Sequence, residues 1–185
     1  MQELRLMQIN LHKSKTASAE LLLRLEDDIS TDDLTVVAIV GGSYENTLLA
    51  PCYMPQDAEA PPKELVRLAD ERKQQFVVGT DANAHNTLWS SSDCNDRGES
   101  LLYFLLTNGL YVANWGDVLT YVGPTSENVL DLTLYNEFCS VVEDWRVLED
   151  PSFSDHKYIF FRMDSDRNRV SGRSRNPRNS RPLGR

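Results

Sequence analysis

Ser154-Asp155-His156 stands in a polar loop just before the apolar run 157–163, and Gly79-Thr80-Asp81-Ala82-Asn83-Ala84-His85 follows another strand-like run, 75–78. Hydrolysis of a phosphate diester needs a cation, an activated water and donors for the charge that develops on the phosphate. Asp155 can hold a cation, His156 and Asp81 can carry protons, and Asn83 can donate to an oxyanion. A lone Asp or Asn in a loop is more often a turn former that bonds its own backbone. Ser154-Asp155 can also be read as a turn, with His156 an ordinary half-buried side chain. Asp81 and Asn83 together, placed directly after a buried strand, favour the chemical reading.

Two such loops must be held by a scaffold, and the hydrophobic pattern supplies one. Residues 4–10 alternate apolar and polar side chains, as a strand with one buried face does. Ser14 or Thr16 can cap a helix running to about Glu26, followed by an acidic turn at 27–33. Residues 35–40 and 47–52 are β-rich and separated by Gly41-Gly42-Ser43, which predicts a hairpin. The prolines of loop 55–62 suit the first turn of a helix through about Lys73. Residues 97–108 are amphipathic and stop at Gly109, a good residue to end a helix. Strands follow at 110–113, 119–122, 129–135, 141–147 and 157–162. This order predicts an α+β fold, an α/β sandwich of two packed, mainly antiparallel sheets flanked by helices in four layers.

The net charge of −9 is unevenly spread. Residues 1–161 hold 26 acidic and 11 basic side chains, whereas residues 162–185 hold 8 Arg and 2 Asp. An acidic body offers little counterion-release affinity for a nucleic-acid backbone. The tail 164–185 could grip phosphates, but it lacks apolar periodicity and reads more plainly as a disordered Arg-rich segment. The foldable part is then a single domain, 1–163. No run approaches the roughly 18 apolar residues that cross a bilayer, and residues 1–5 have no signal-peptide character. Cys52, Cys94 and Cys139 form no close pair and read as reduced thiols of a nuclear or cytoplasmic protein.

Seven pieces recur together: Gln8-Ile9-Asn10, residues 50–55 around Tyr53, residues 79–85, Asn95-Asp96-Arg97-Gly98, Leu119-Thr120-Tyr121, residues 129–134 around Asp131, and Ser154-Asp155-His156. In this order the chain resembles the endonuclease/exonuclease/phosphatase superfamily, and within it the endonuclease domains of non-LTR retrotransposons. The resemblance implies a two-sheet sandwich that cuts DNA phosphodiesters with Mg²⁺ or Mn²⁺, joined in the full-length ancestor to a reverse transcriptase domain. It implies that Asn10 serves the metal end of the cleft, with Asp155 near the metal, and that Tyr53 contacts the scissile phosphate. Asp81 would orient or deprotonate the attacking water, Asn83 would stabilise the pentavalent phosphate, and Asp131 would hold the His156 tautomer. Thr120 and Ser154 would position the phosphate. His85, in the family's extended loop, would lie at the substrate, although structural support by Trp89 packing is its plainer role. A carboxylate behind an imidazole independently suits proton handling.

One piece of the pattern is missing. The family carries a metal-binding Glu in a Q-E-P-like segment after the first helix, and no such segment exists here. The chain passes from Glu26-Asp27-Asp28 through Asp32-Asp33 almost directly into residues 35–40, an internal shortening near 29–35 that predicts an inner sheet lacking a strand. Three functions stay open: a metal-dependent endonuclease, a truncated remnant impaired in catalysis, and a phosphodiesterase or phosphatase of the same superfamily acting on lipid or inositol phosphates.

Overall fold

The computed structural model describes residues 3–11, 15–19, 36–38, 42–44, 47–54, 67, 75–137 and 142–164. Two sheets face each other across an apolar layer. One has the order β10-β11-β1-β2, with β1 at Glu3–Gln8, β2 at Val36–Ala38, β10 at Val142–Val147 and β11 at Ile159–Asp164. The other has the order β3-β4-β5-β9-β6, with β3 at Gly42–Tyr44, β4 at Thr47–Tyr53, β5 at Gln75–Asp81, β6 at Leu110–Val112 and β9 at Asp131–Asn136. Among the described residues only the β1–β2 and β4–β5 pairs are parallel, so the sandwich is mainly antiparallel, as the residue pattern predicts. A short ribbon, β7 at Tyr121–Val122 and β8 at Glu127–Asn128, stands apart from both sheets.

The two-residue period of a strand divides the core into two. On β5, Phe76 and Val78 point outward to helix α1, Asp96–Thr107, where Leu101, Phe104 and Leu105 complete one apolar cluster. Val77 points inward and joins Leu6, Leu49, Trp145, Ile159 and Phe161 between the sheets. Helix α1 is set by its ends. The Asn95 side chain caps its start by accepting from the Gly98 amide at 2.8 Å, and Gly109 follows Asn108 with φ +62°.

The same parity carries polar residues into the space between the sheets. Gln8, Gly79 and Thr133 share the inward faces of β1, β5 and β9. Thr133 donates to Gln8 at 2.9 Å, the Trp145 indole donates to Thr133 at 2.9 Å, and Gln8 donates to the Leu132 carbonyl at 3.1 Å. A side chain at position 79 would meet the Gln8 amide at 2.7 Å, so glycine is what lets Gln8 cross. Two residues further along each strand lies the end of the sandwich, where Asn10, Asp81 and Asp131 must emerge.

The predicted hairpin between residues 35–40 and 47–52 is corrected by the register. Val36–Ala38 pairs with β1 in the other sheet, and the antiparallel partner of β4 is Gly42–Tyr44. The valines and alanine complete the flank of β1, while the glycine-serine segment read as a turn is itself a strand. β1 therefore has neighbours on both sides, β11 and β2, and among the described residues the sheet ends at β2. Residues 15–19 are helical, as expected of the first helix. Its continuation to Glu26, the acidic turn with Asp27, Asp28, Asp32 and Asp33, most of the helix to Lys73, Cys139 and the tail from 165 lie outside the described residues.

Candidate active site

Asp81 and Asp131 end and begin adjacent antiparallel strands and sit directly opposite in register. Like charges across a strand pair repel, so two buried aspartates there need a counter-group. His156 provides it. Its Nδ1 lies 2.8 Å from Asp131 Oδ2, and its Nε2 lies 3.8 Å from Asp81 Oδ2. Asn10 closes the group: its amide donates to Asp81 Oδ2 at 2.9 Å and stands 3.4 Å from His156 Nε2. All four converge at one end of the sandwich, and the Asn10, Asp81 and His156 side chains line an open cleft of about 1050 Å³.

The electrostatics follow from this packing. Burial pushes the Asp131 carboxyl above its usual range, with the Asp81 charge adding, while the His156 bond pulls the other way. Burial alone would lower the His156 imidazole, but the bond to Asp131 and the charges of Asp131, Asp81 and Asp155 outweigh it and raise its pKa. With Asp131 on Nδ1, the ring nitrogen facing the cleft is Nε2, the atom able to give or take a proton there.

Loops hold the array in place. Ser154 Oγ donates to the Asn10 carbonyl at 2.8 Å and accepts from the His156 amide at 3.3 Å, so it ties the histidine loop to the end of β1. Ser152 Oγ donates to the His156 carbonyl at 2.6 Å. Thr120 is fully buried, and its hydroxyl accepts from the Leu130 and Asp131 amides at 3.0 and 2.9 Å. Its place is behind Asp131, not in the cleft. Tyr121 forms a β-bridge with His156 and sets its ring edge-on to the imidazole at 5.0 Å.

The opposite wall is made by Tyr53, Asn83 and His85. Tyr53 is 62% exposed at the end of β4, in parallel register with Asp81. Asn83 adopts φ +47°, a left-handed conformation that asparagine tolerates, and its amide donates to the Met54 carbonyl at 3.2 Å. An amide nitrogen has two hydrogens, so this bond uses one of them, and Asn83 itself lines the cleft. His85 Nδ1 is 2.7 Å from Asp93, and this bond holds the Asp93 carboxyl below its usual range. The buried Trp89 supports this loop by donating to the Ala84 carbonyl at 3.2 Å.

Asp155 is not among the residues that line the cleft; its carbonyl accepts from the Val122 amide at 2.7 Å, and its charge helps to raise the His156 pKa. The carboxylate-bearing residues that line the cleft are Asp81 and Asp96, and Asn10 stands beside Asp81 with a side-chain oxygen that could join it. Among the described residues no group of three or more His, Cys, Asp and Glu gathers to hold a metal. Mg²⁺ nevertheless needs only one or two carboxylates when waters and substrate phosphate supply the rest. Asp81 and Asn10 fit that kind of shared site, not a closed cage.

Sequence reasoning gave no role to Asn95, Arg97, Tyr121 and Ser126, all of which line the cleft. Asn95 and Arg97 lie within the Asn95–Gly98 piece and Tyr121 within the Leu119–Tyr121 piece, so of the four only Ser126 has no motif signal. No described helix is long and apolar enough to cross a membrane.

Residues 47–160 match the family described as endonuclease-reverse transcriptase. No curated protein matches the chain. The fold is similar to that of the endonuclease domain of TRAS1, a telomere-specific non-LTR retrotransposon, with a TM-score of 0.69 and 20% identity over 86% of this chain and 98% of that one.

Proposed function

The chain belongs to the endonuclease-reverse transcriptase family, and from that premise we propose that it nicks DNA with a divalent metal, Mg²⁺ or Mn²⁺, as a retrotransposon-derived endonuclease domain. The observation that carries the reading is the Asp131–His156–Asn10–Asp81 array at the cleft. Asp81 with Asn10 would hold the metal, which when bound polarises a phosphate oxygen and acidifies water. Asp81 accepts the proton of the attacking water. His156, braced by Asp131, gives a proton from Nε2 to the leaving oxygen, and the Asn83 amide meets the developing equatorial charge. Attack forms one phosphorus–oxygen bond and breaks another, leaving one nicked strand.

Supercoiled plasmid with Mg²⁺ or Mn²⁺ is the direct test. Relaxed, singly nicked circles are expected, and chelation by EDTA should abolish them. A folded protein that leaves the plasmid supercoiled would overturn the reading.

A second reading is a remnant with weakened metal binding. It is favoured by the absence of a three-ligand group among the described residues and by the missing Q-E-P segment. Calorimetric titration separates the two: saturable binding at or below millimolar Mg²⁺ or Mn²⁺ supports the enzyme, and none supports the remnant.

A further inference from the structure

Among the described residues that line the cleft, Arg97 is the one Lys or Arg. Its Nε donates to the Ala82 carbonyl and its Nη2 to the Met54 carbonyl, both at 3.0 Å. These carbonyls belong to the first residues beyond β5 and β4, whose amides still bond to the neighbouring segments while their carbonyls take side-chain donors. Tyr53 immediately precedes one, and Asn83 immediately follows the other. The Met54 carbonyl also accepts from the Asn83 side chain at 3.2 Å. Arg97 and Asn83 thus share an acceptor.

The surrounding segment is built to deliver this guanidinium. Asn95 both caps helix α1 and accepts from the His85 amide at 3.2 Å, while the Asn95 amide donates to the His85 carbonyl at 3.1 Å. At position 98 a side chain would lie 1.8 Å from the His85 carbonyl oxygen, so only glycine lets the helix start approach the loop this closely. Asn95, Arg97 and Gly98 therefore form one clamp across the cleft floor.

We propose that Arg97 is a positioning residue for the phosphodiester chemistry, its guanidinium fixing the Asn83 amide and Tyr53 by bridging the chain ends that carry them. This rests on the proposed nicking activity, and it separates bridging from charge. A lysine keeps the charge but, as a point donor on a flexible stem, cannot reproduce a planar fork to two carbonyls.

Arg97→Lys and Arg97→Ala are compared in plasmid nicking kinetics and in ¹H–¹⁵N spectra that resolve the Asn83 side-chain amide. Both variants should lower kcat by about 10- to 100-fold, the scale of a small misplacement at a reacting centre, with KM little changed. Guanidinium ion should restore part of the rate to Arg97→Ala but not to Arg97→Lys. The Asn83 amide resonances should move in both variants. A lysine variant at full kcat, a KM rise with kcat unchanged, or unmoved Asn83 resonances would each overturn the proposal. Wild-type protein without nicking activity would sink the nicking reading, while the Asn83 resonances would still decide the bridging role. Should the alanine variant fail to fold, the lysine variant decides.

Discussion

His156→Ala should lose nicking by a factor on the order of 10³ to 10⁴ while the protein stays folded, because the substitution removes the one cleft-facing imidazole that is braced by a buried carboxylate. Proton transfer by a positioned side chain contributes typically 10² to 10⁴ in rate, and an imidazolium aimed at the phosphate adds charge stabilisation to that. His156 is only 3% exposed, and its loop is tied to β1 through Ser154. Truncation therefore leaves Asp131 buried without its partner, and some stability is lost as well. Circular dichroism and thermal melts on the same samples keep the two effects apart: a rate loss in a cooperatively folded variant is catalytic. A variant that nicks within a few-fold of the wild type would remove His156 from the mechanism.

The second large effect is a shift in pH dependence. The His156 pKa is raised, so the imidazolium is the favoured form below it and is lost as pH rises through it. Nicking that needs the imidazolium should accordingly fall as pH rises through this raised pKa, at higher pH than an ordinary imidazole would give. Asp131→Asn removes the bond and the charge that raise this pKa but leaves the burial that lowers it. The alkaline limb should move to lower pH, and the rate at neutral pH should drop by about 10²- to 10⁴-fold. Histidine titration by NMR gives the same sign without turnover: His156 should titrate above its ordinary value of 6.5 in the wild type and lower in the variant. An unchanged limb and an unchanged titration would mean that Asp131 does not govern the imidazole.

Much of this site was legible because strand parity and short motifs carry it. The alternation at 4–10 places Asn10 on the face of Gln8 and Leu6, and the runs before Asp81 and after Asp131 set those carboxylates at strand ends. The convergence of Asn10, Asp81, Asp131 and His156 then needs only two sheets packed face to face. What the sequence conceals is partnership over distance. Val36–Ala38 has the composition of a hairpin arm, yet which sheet it joins depends on the open edge of β1, not on its own residues. Thr120 looks like a phosphate contact by motif, but its hydroxyl is consumed by two backbone amides behind Asp131. Arg97 carries no chemical signal of its own beyond the motif it lies in, since its role lies in two carbonyls that emerge only when β4 and β5 run side by side.

The acidic body adds a physical constraint. With an excess of carboxylates over residues 1–161, long-range attraction for DNA is weak. On the proposed nicking reading, recognition would fall to the cleft itself and its immediate rim. There the exposed Tyr53, the Tyr121 ring beside His156 and the His85–Asp93 pair offer contacts that do not depend on net charge.

The most direct test of the array is a double-variant cycle on nicking rate with Asp81→Ala, His156→Ala and both together. Groups that act as one unit are strongly non-additive, each single loss costing nearly as much as the pair. The double variant should therefore be about as slow as the worse single variant. Losses that multiply, or a slow single variant paired with one at the wild-type rate, would show that the two side chains do not serve a common phosphate.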